Sequence, residues 1–261
     1  MARFGITLTP ATVLEILNRV KNRLLPDYGR LKQNVYAAGN VNADETTYGV
    51  NGKNWYLWIF RTASDVVFLL RNSRGKKVCG EIFREKTGRT IGSDGYSAYA
   101  AFATRQQRCW AHLIRQLRYL ADNHEKFKPF LEELRSFYHS LKLQIANKPP
   151  PEKCREIVQQ SKAWLQQFID TASSHKELRK FVIYCSNGME GWFTFIENSC
   201  IEPTNNCCEQ LLSEQIVIRK IIGQLRNEKG VEIHEVIASL MATWKLRGLN
   251  QRVQLVAALS S

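Results

Sequence analysis

Several things are missing from this chain of 261 residues, and each absence excludes a class. No CxxC pair occurs, and the seven cysteines, at 79, 109, 154, 185, 200, 207 and 208, are scattered and odd in number. That argues against a disulfide framework and against a zinc ribbon, and it suits reduced thiols in the cytoplasm. No N-terminal apolar segment resembles a signal peptide, and no apolar run approaches the roughly 20 residues of a membrane span. A membrane partner is therefore not expected. There is no internal repeat and no low-complexity tail.

What is present is basic charge. Lys and Arg number 37 against 24 Asp and Glu, a net charge of +13, while hydrophobic residues make up an ordinary 44%. Such a balance says little about fold and much about partners. It favours a polyanion, with nucleic acid ahead of an anionic membrane surface; the alternative is plain solubility from a lysine-rich surface. The length suits one large domain or two small ones with a substantial core.

Thr9-Pro10 reads as an N-cap followed by proline at the first helical position. Val13, Ile16, Leu17, Val20, Leu24 and Leu31 recur at helical spacing, so residues 10–34 are expected to be helical, broken at Pro26. Residues 40–73 read as three strands, with Asn51-Gly52 as the first hairpin turn. Trp55 to Phe60 is nearly all apolar, as in a central strand buried on both faces. A helix over 75–85 and a short strand over 90–94 follow. A helix over 96–102 and a fifth strand over 107–110 complete a β-β-β-α-β-α-β order, in which the helix at 75–85 supplies the crossover that a parallel fourth strand requires. From Ala111 to about Glu197 the spacing is helical throughout, interrupted by the linker Asn147 to Pro151. A helix start near Pro203 to Asn206 runs through Leu212, and Val231 to Trp244 reads as a last long helix. The domain boundaries that follow are a helical stretch 1–38, a first core part 39–112, a helical segment 113–200 and a C-terminal core part 201–261. Trp55, Trp58, Trp164 and Trp192 are most simply core.

The stretch Val41 to Thr47 sets a carboxylate, Asp44, inside a strand. Aspartate there runs against β propensity because its side chain competes for backbone hydrogen bonds, and such local conflicts gather at functional sites. Asp94 ends the fourth strand, 50 residues later, at a strand-to-loop exit. Glu209 lies in a late helix, although spacing alone does not select it from the 24 acids. Carboxylate oxygens from these three positions would suit Mg²⁺ or Mn²⁺, and two such ions about 3.5–4 Å apart support in-line phosphoryl transfer. The alternative is that these are surface or turn acids. Glu45, next to Asp44, points to the opposite face of the strand and reads as structural.

Other residues carry less decisive signals. His112, three residues after Cys109, could be half of a metal site, could begin a helix with Arg115 beside the acids and touch DNA or steady a carboxylate, or could be a packed or capping histidine. Cys200, Cys207 and Cys208 have the wrong spacing for a zinc finger and read as small buried residues. Arg219, Lys220, Arg226 and Lys229 form a basic run suited to phosphate contacts, or equally a solvated helix face.

Five short stretches in order resemble the DDE transposases of the IS66 family: Asn42-Ala43-Asp44-Glu45-Thr46, Ser93-Asp94-Gly95-Tyr96, Cys109-Trp110-Ala111-His112-Leu113, Asn205-Asn206-Cys207-Cys208-Glu209, and the basic Arg219-Lys220. The resemblance covers about residues 4–250. It implies an RNase H-like α/β fold, a mixed sheet flanked by helices, with a large all-helical insertion before the Glu-bearing helix. It implies metal-dependent DNA cleavage and strand transfer at insertion-sequence ends by Asp44, Asp94 and Glu209. Two Mg²⁺ or Mn²⁺ ions, DNA as partner, a homo-oligomeric synaptic complex and a nucleoid-associated cytoplasmic location go with it. Two departures stand out. Members of the family resemble one another in an N-terminal part with zinc-binding and helix-turn-helix segments, and this chain starts near the end of that part. An Arg usually stands four residues after the Glu, where this chain has Ser213. The alternatives are a truncated transposase that only binds DNA, a structure-selective nuclease of the same fold, and a basic helical scaffold with incidental acids.

Overall fold

The strand and helix signals resolve, in a computed structural model that describes residues 9–260, into five strands and eleven α-helices among those residues. In chain order the first elements are α1 (Pro10–Ala37), β1 (Asn40–Val50), β2 (Lys53–Arg61), β3 (Val66–Arg71) and α2 (Lys76–Phe83). Then come β4 (Thr90–Ser93), α3 (Ser97–Ala100), β5 (Arg105–Arg108) and α4 (Trp110–Asn123). α5 (Lys128–Ala146), α6 (Pro151–Ala172), α7 (Arg179–Asn187) and α8 (Thr194–Glu197) form the helical stretch. α9 (Asn206–Ile222), α10 (Glu228–Leu246) and α11 (Gln251–Ser260) finish the chain. The chain is α/β, and it divides into two compact units, residues 1–85 with 207–261, and residues 86–206. Residues 1–8, which open the expected helical stretch 1–38 and the span of the family resemblance, lie outside the described residues.

In the first unit β1, β2 and β3 form an antiparallel ladder with β2 in the middle. The β1–β2 turn is Asn51-Gly52, both with positive φ (47° and 73°), as a two-residue turn matched to strand twist requires. Its tip is fastened to the loop before α10, where Asn51 N–H donates to Leu225 O (2.7 Å) and Gly52 N–H to Gln224 Oε1 (2.7 Å). Leu57 to Phe60 are fully buried, as expected of a central strand, whereas Trp55 and Tyr56 near its start are only half-buried.

β3 has no strand on its other side within this unit, so its outward N–H groups need acceptors. α10 supplies them at every fourth residue. Val66 N–H donates to Thr243 Oγ1 (2.9 Å), Phe68 N–H to Ser239 Oγ (2.9 Å) and Leu70 N–H to Glu235 Oε1 (2.6 Å). The match is geometric. Two strand residues advance about 6.8 Å and four helical residues about 6 Å, so the two rows stay in step over three contacts. Tyr28 of α1 adds a fourth contact, donating its hydroxyl to Phe68 O (2.8 Å). Glu235 is also paired with Arg71, which Glu81 holds from the other side at 2.7 Å. Burial nevertheless pushes the Glu235 carboxyl up.

The structure departs from expectation in several places. Pro26 does not break α1. Its missing hydrogen bond is outweighed by a long buried stripe, Val20, Leu24, Tyr28, Leu31 and Val35, that packs on α10 and β3. Val13 and Leu17, placed on the buried face by their spacing, are exposed instead. α9 continues past Leu212 to Ile222, since β-branched residues lower helix propensity only slightly. α10 starts earlier than its apolar spacing suggests, because Asn227 caps it by accepting from Gly230 N–H (2.9 Å). α11 carries no buried residue and so left no apolar stripe to read.

In the second unit β4 and β5 pair in parallel, with Ser93 opposite Arg108. The fifth strand lies at 105–108, two residues before its expected place, and Trp110 begins α4. The cause is at the junction. Cys109 N–H is taken by Ser93 O (2.9 Å) and Trp110 N–H by Pro203 O (3.0 Å), which turns the chain out of the strand. Trp110 is fully buried against Trp192, Phe193 and Tyr138, and it anchors a core that also holds Phe127, Leu134, Leu165 and Phe181.

Two measurements follow. Ser239→Ala removes the acceptor of a buried N–H and should cost about 1–3 kcal/mol in denaturant unfolding; a loss under about 0.5 kcal/mol would show that the row on α10 is incidental. His234, beside the Tyr48 ring at 5.3 Å, is lowered by burial from 6.5 to about 4, so the native ring is neutral. That contribution is complete above about pH 6.5 and is lost as pH falls through about 4. His234→Gln should therefore lose less stability than the wild type between pH 7 and pH 4, by at most about 3 kcal/mol.

Candidate active site

Asp44 lies in β1 opposite Ile59 of β2 and is half-buried. Its Oδ1 accepts the N–H of Glu45 (2.8 Å), so the carboxylate satisfies a local donor without breaking the ladder. Glu45 is bound to Arg74 at 2.7 Å, with its own side chain only 2% exposed. Burial pushes the nearby Cys79 thiol up to about 12, and the Glu45 charge adds to the shift. Glu45 thus has a structural partner, as its place in the strand suggests.

Glu209 is in the first turn of α9, half-buried, where the helix dipole favours a negative charge. Its neighbour Cys208 is fully buried and packs with Tyr48, Val50, Ile59 and Leu212. The Cys208 thiol is pushed well above its ordinary value by burial first, then by Cys207, then by the Asp44 carboxylate. Ile59, the β2 partner of Asp44, shares that core cluster with Cys208, and both acids belong to the first unit. Ser213, four residues after Glu209, turns its hydroxyl back onto Glu209 O (2.8 Å).

Asp94 belongs to the second unit, at the exit of β4. Its Oδ1 accepts Tyr96 N–H (2.8 Å), while Ser93 Oγ accepts Gly95 N–H (3.1 Å). Gly95 takes φ +94°, which lets the chain turn sharply after the acid. Tyr184 of α7, 90 residues downstream, donates its hydroxyl to Asp94 O (2.7 Å). Burial raises the Tyr184 phenol, so it stays a donor. Oδ2 of Asp94 makes no hydrogen bond among the described residues.

His112 and Arg115 sit in the first turns of α4, with Arg115 Nη1 3.4 Å from His112 Nε2. Cys109 is buried and its Sγ accepts Asn205 N–H (3.1 Å). Cys200 is exposed rather than buried, because it lies in the irregular segment after α8. In the first unit Arg219 donates to Thr47 O (2.7 Å) and lies over the Tyr48 ring, which ties the end of α9 to β1. Lys220 and Arg226 are exposed and have no ion-pair partner among the described residues. Tyr184 carries no signal along the chain, because its separation from Asp94 is long and a tyrosine in a helix forms no motif.

The family described as "Transposase IS66 family" matches residues 1–233 of the chain. No curated protein matches it. Among the described residues no helix is long and apolar enough to cross a membrane.

Tyr184→Phe deletes the bond to the Asp94 carbonyl and nothing else. It should lower stability by about 1 kcal/mol in thermal melts, and an unchanged melting temperature would show that the loop is held without it.

Proposed function

The chain belongs to the IS66 transposase family, and from that premise we propose that it cleaves and joins DNA at insertion-sequence ends by phosphoryl transfer at Asp44, Asp94 and Glu209. Membership gives the general role, DNA processing in transposition, and DNA as the partner. The finer reading is an RNase H-like core containing the five strands, with the helices between β5 and α9 as an insertion. A homo-oligomeric synaptic complex in the nucleoid goes with it.

The observation that supports the reading is that Cys208, the residue before Glu209, shares a core cluster with Ile59, the β2 partner of Asp44. The donor chemistry fits a hard cation. All three groups are carboxylates, and Asp94 keeps Oδ2 clear of hydrogen bonds while Oδ1 fixes its orientation. Asp44, Asp94 and Glu209 would hold Mg²⁺ or Mn²⁺, two ions in all, and when bound these supply a lowered nucleophile pKa and charge neutralisation at the leaving oxygen. The residues of the chain do the positioning. Glu45 N–H orients Asp44, Tyr96 N–H orients Asp94, and the first turn of α9 stabilises the charge of Glu209. Water attacks the scissile phosphate first and displaces the 3′-oxygen of the element strand; that 3′-hydroxyl then attacks a phosphodiester of the target strand, breaking its P–O bond and releasing the target's own 3′-hydroxyl. His112, Arg115, Arg219, Lys220 and Arg226 contribute phosphate contacts, which give affinity without reading sequence.

Asp44→Asn, Asp94→Asn and Glu209→Gln should each lower Mn²⁺-dependent cleavage of insertion-end DNA by about 100-fold or more. Each should also weaken Mn²⁺ binding in calorimetry. An Asp94→Asn protein that binds Mn²⁺ and cuts DNA like the wild type would end the proposal.

A further inference from the structure

Arg108, at the end of β5, is the residue opposite Ser93 and so stands beside the Asp94 loop. Its side chain runs through a gap made by three glycines. A Cβ on Gly191 would lie 3.1 Å from Arg108 Cγ, one on Gly188 2.7 Å from Cδ, and one on Gly95 2.7 Å from Nη1 and 2.8 Å from Cζ. The guanidinium lies over the rings of Tyr184 (5.4 Å) and Trp192 (5.8 Å). The stem is thus enclosed from β4 to the segment after α7, and the head is delivered under Gly95, next in sequence to Asp94.

The head has no acceptor. Arg108 makes no ion pair and donates none of its five N–H groups among the described residues, although it is half-buried. Its neighbours differ. The stem lines a cavity of about 430 Å³ together with Arg105 and Lys162, and those two cations are held by Glu197 and by Glu190 (2.6 Å). Partly burying a cation without an acid is costly, and an apolar side chain of the same length would fill the glycine gap without that cost. Cation–π contact with two rings offsets part of the cost and also fixes the orientation of the fork. A planar fork held rigid, with every donor unused, is the arrangement that takes two oxygens of a phosphate.

We propose that Arg108 is a phosphate-binding residue of the Asp94 site, with a phosphodiester of the DNA strand as its ligand. The inference rests on the reading of Asp94 given above. The carboxylate and the guanidinium divide the work: Asp94 faces the cation, and Arg108 takes the non-bridging oxygens of the strand.

The test measures affinity for an insertion-end duplex by fluorescence anisotropy between 50 and 200 mM KCl, in EDTA, so that no metal contributes. Arg108→Met keeps the length of the stem and removes the charge. It should bind about 3–10-fold more weakly and lower the slope of log affinity against log salt by about 1. Arg108→Lys should keep the slope and still lose affinity, because the fork is gone. An Arg108→Met protein that melts like the wild type and keeps the full salt slope overturns the proposal. Should that variant not fold, Arg108→Lys with wild-type affinity at every salt concentration overturns it instead. Asp94→Asn is the control for the underlying reading. If Asp94→Asn cleaves normally while Arg108→Met loses the slope, the triad fails and the phosphate site at Arg108 stands.

Discussion

The first unit depends on one constraint: the outward N–H groups of β3 must be satisfied without a further strand. A side-chain row on α10 meets it, through Glu235, Ser239 and Thr243. Because these acceptors repeat every fourth residue, α10 is held along the strand in a single register. A shift by one residue would remove all three contacts at once and leave buried donors unpaired, each at a cost of about 1–3 kcal/mol. α1 packs on the same pair and adds the Tyr28 hydroxyl, which explains why the helix continues through Pro26. The register of β1 follows through β2, and with it the place of Asp44 opposite Ile59.

The second unit is organised by aromatic packing. Trp110 begins α4, donates its Nε1–H to Trp192 O (2.7 Å), and stacks on Tyr138 at 5.0 Å. Trp192 in turn donates to Cys185 O (2.9 Å) and forms one wall of the Arg108 channel. Tyr184, next to Cys185, reaches the Asp94 carbonyl. The loop that carries the acid is thus fixed by residues about 90 positions away, all tied to the same tryptophan pair.

The excess positive charge is not spread evenly in function. Many surface cations are paired within a turn of helix, such as Lys128 with Glu125 and Lys153 with Glu156 (2.8 Å), and contacts of that kind contribute little to stability. Arg118 and Lys142, which line a groove on α4 and α5, have no acid partner among the described residues, and neither does Arg108. Cations of this second kind are the ones left to attract a polyanion.

Local chemistry was readable in the chain wherever it is self-contained. Asn51-Gly52 announced its turn because both positions require positive φ, and Thr9-Pro10 announced a helix start because its cap lies within three residues. The apolar run Leu57 to Phe60 announced a central strand, and the five short motifs pointed to the family. Pairings over long separations were not readable. Nothing near Phe68 indicates Ser239, nothing near Asp94 indicates Tyr184, and the glycines at 95, 188 and 191 look like three unrelated turns until one arginine is threaded between them. The sequence by itself determined the types of element and the overall charge, because those follow from neighbours along the chain, and its five short motifs marked which acids to watch. Only the tertiary structure decided which donors were left unused and where they point, because that depends on which distant groups satisfy the others.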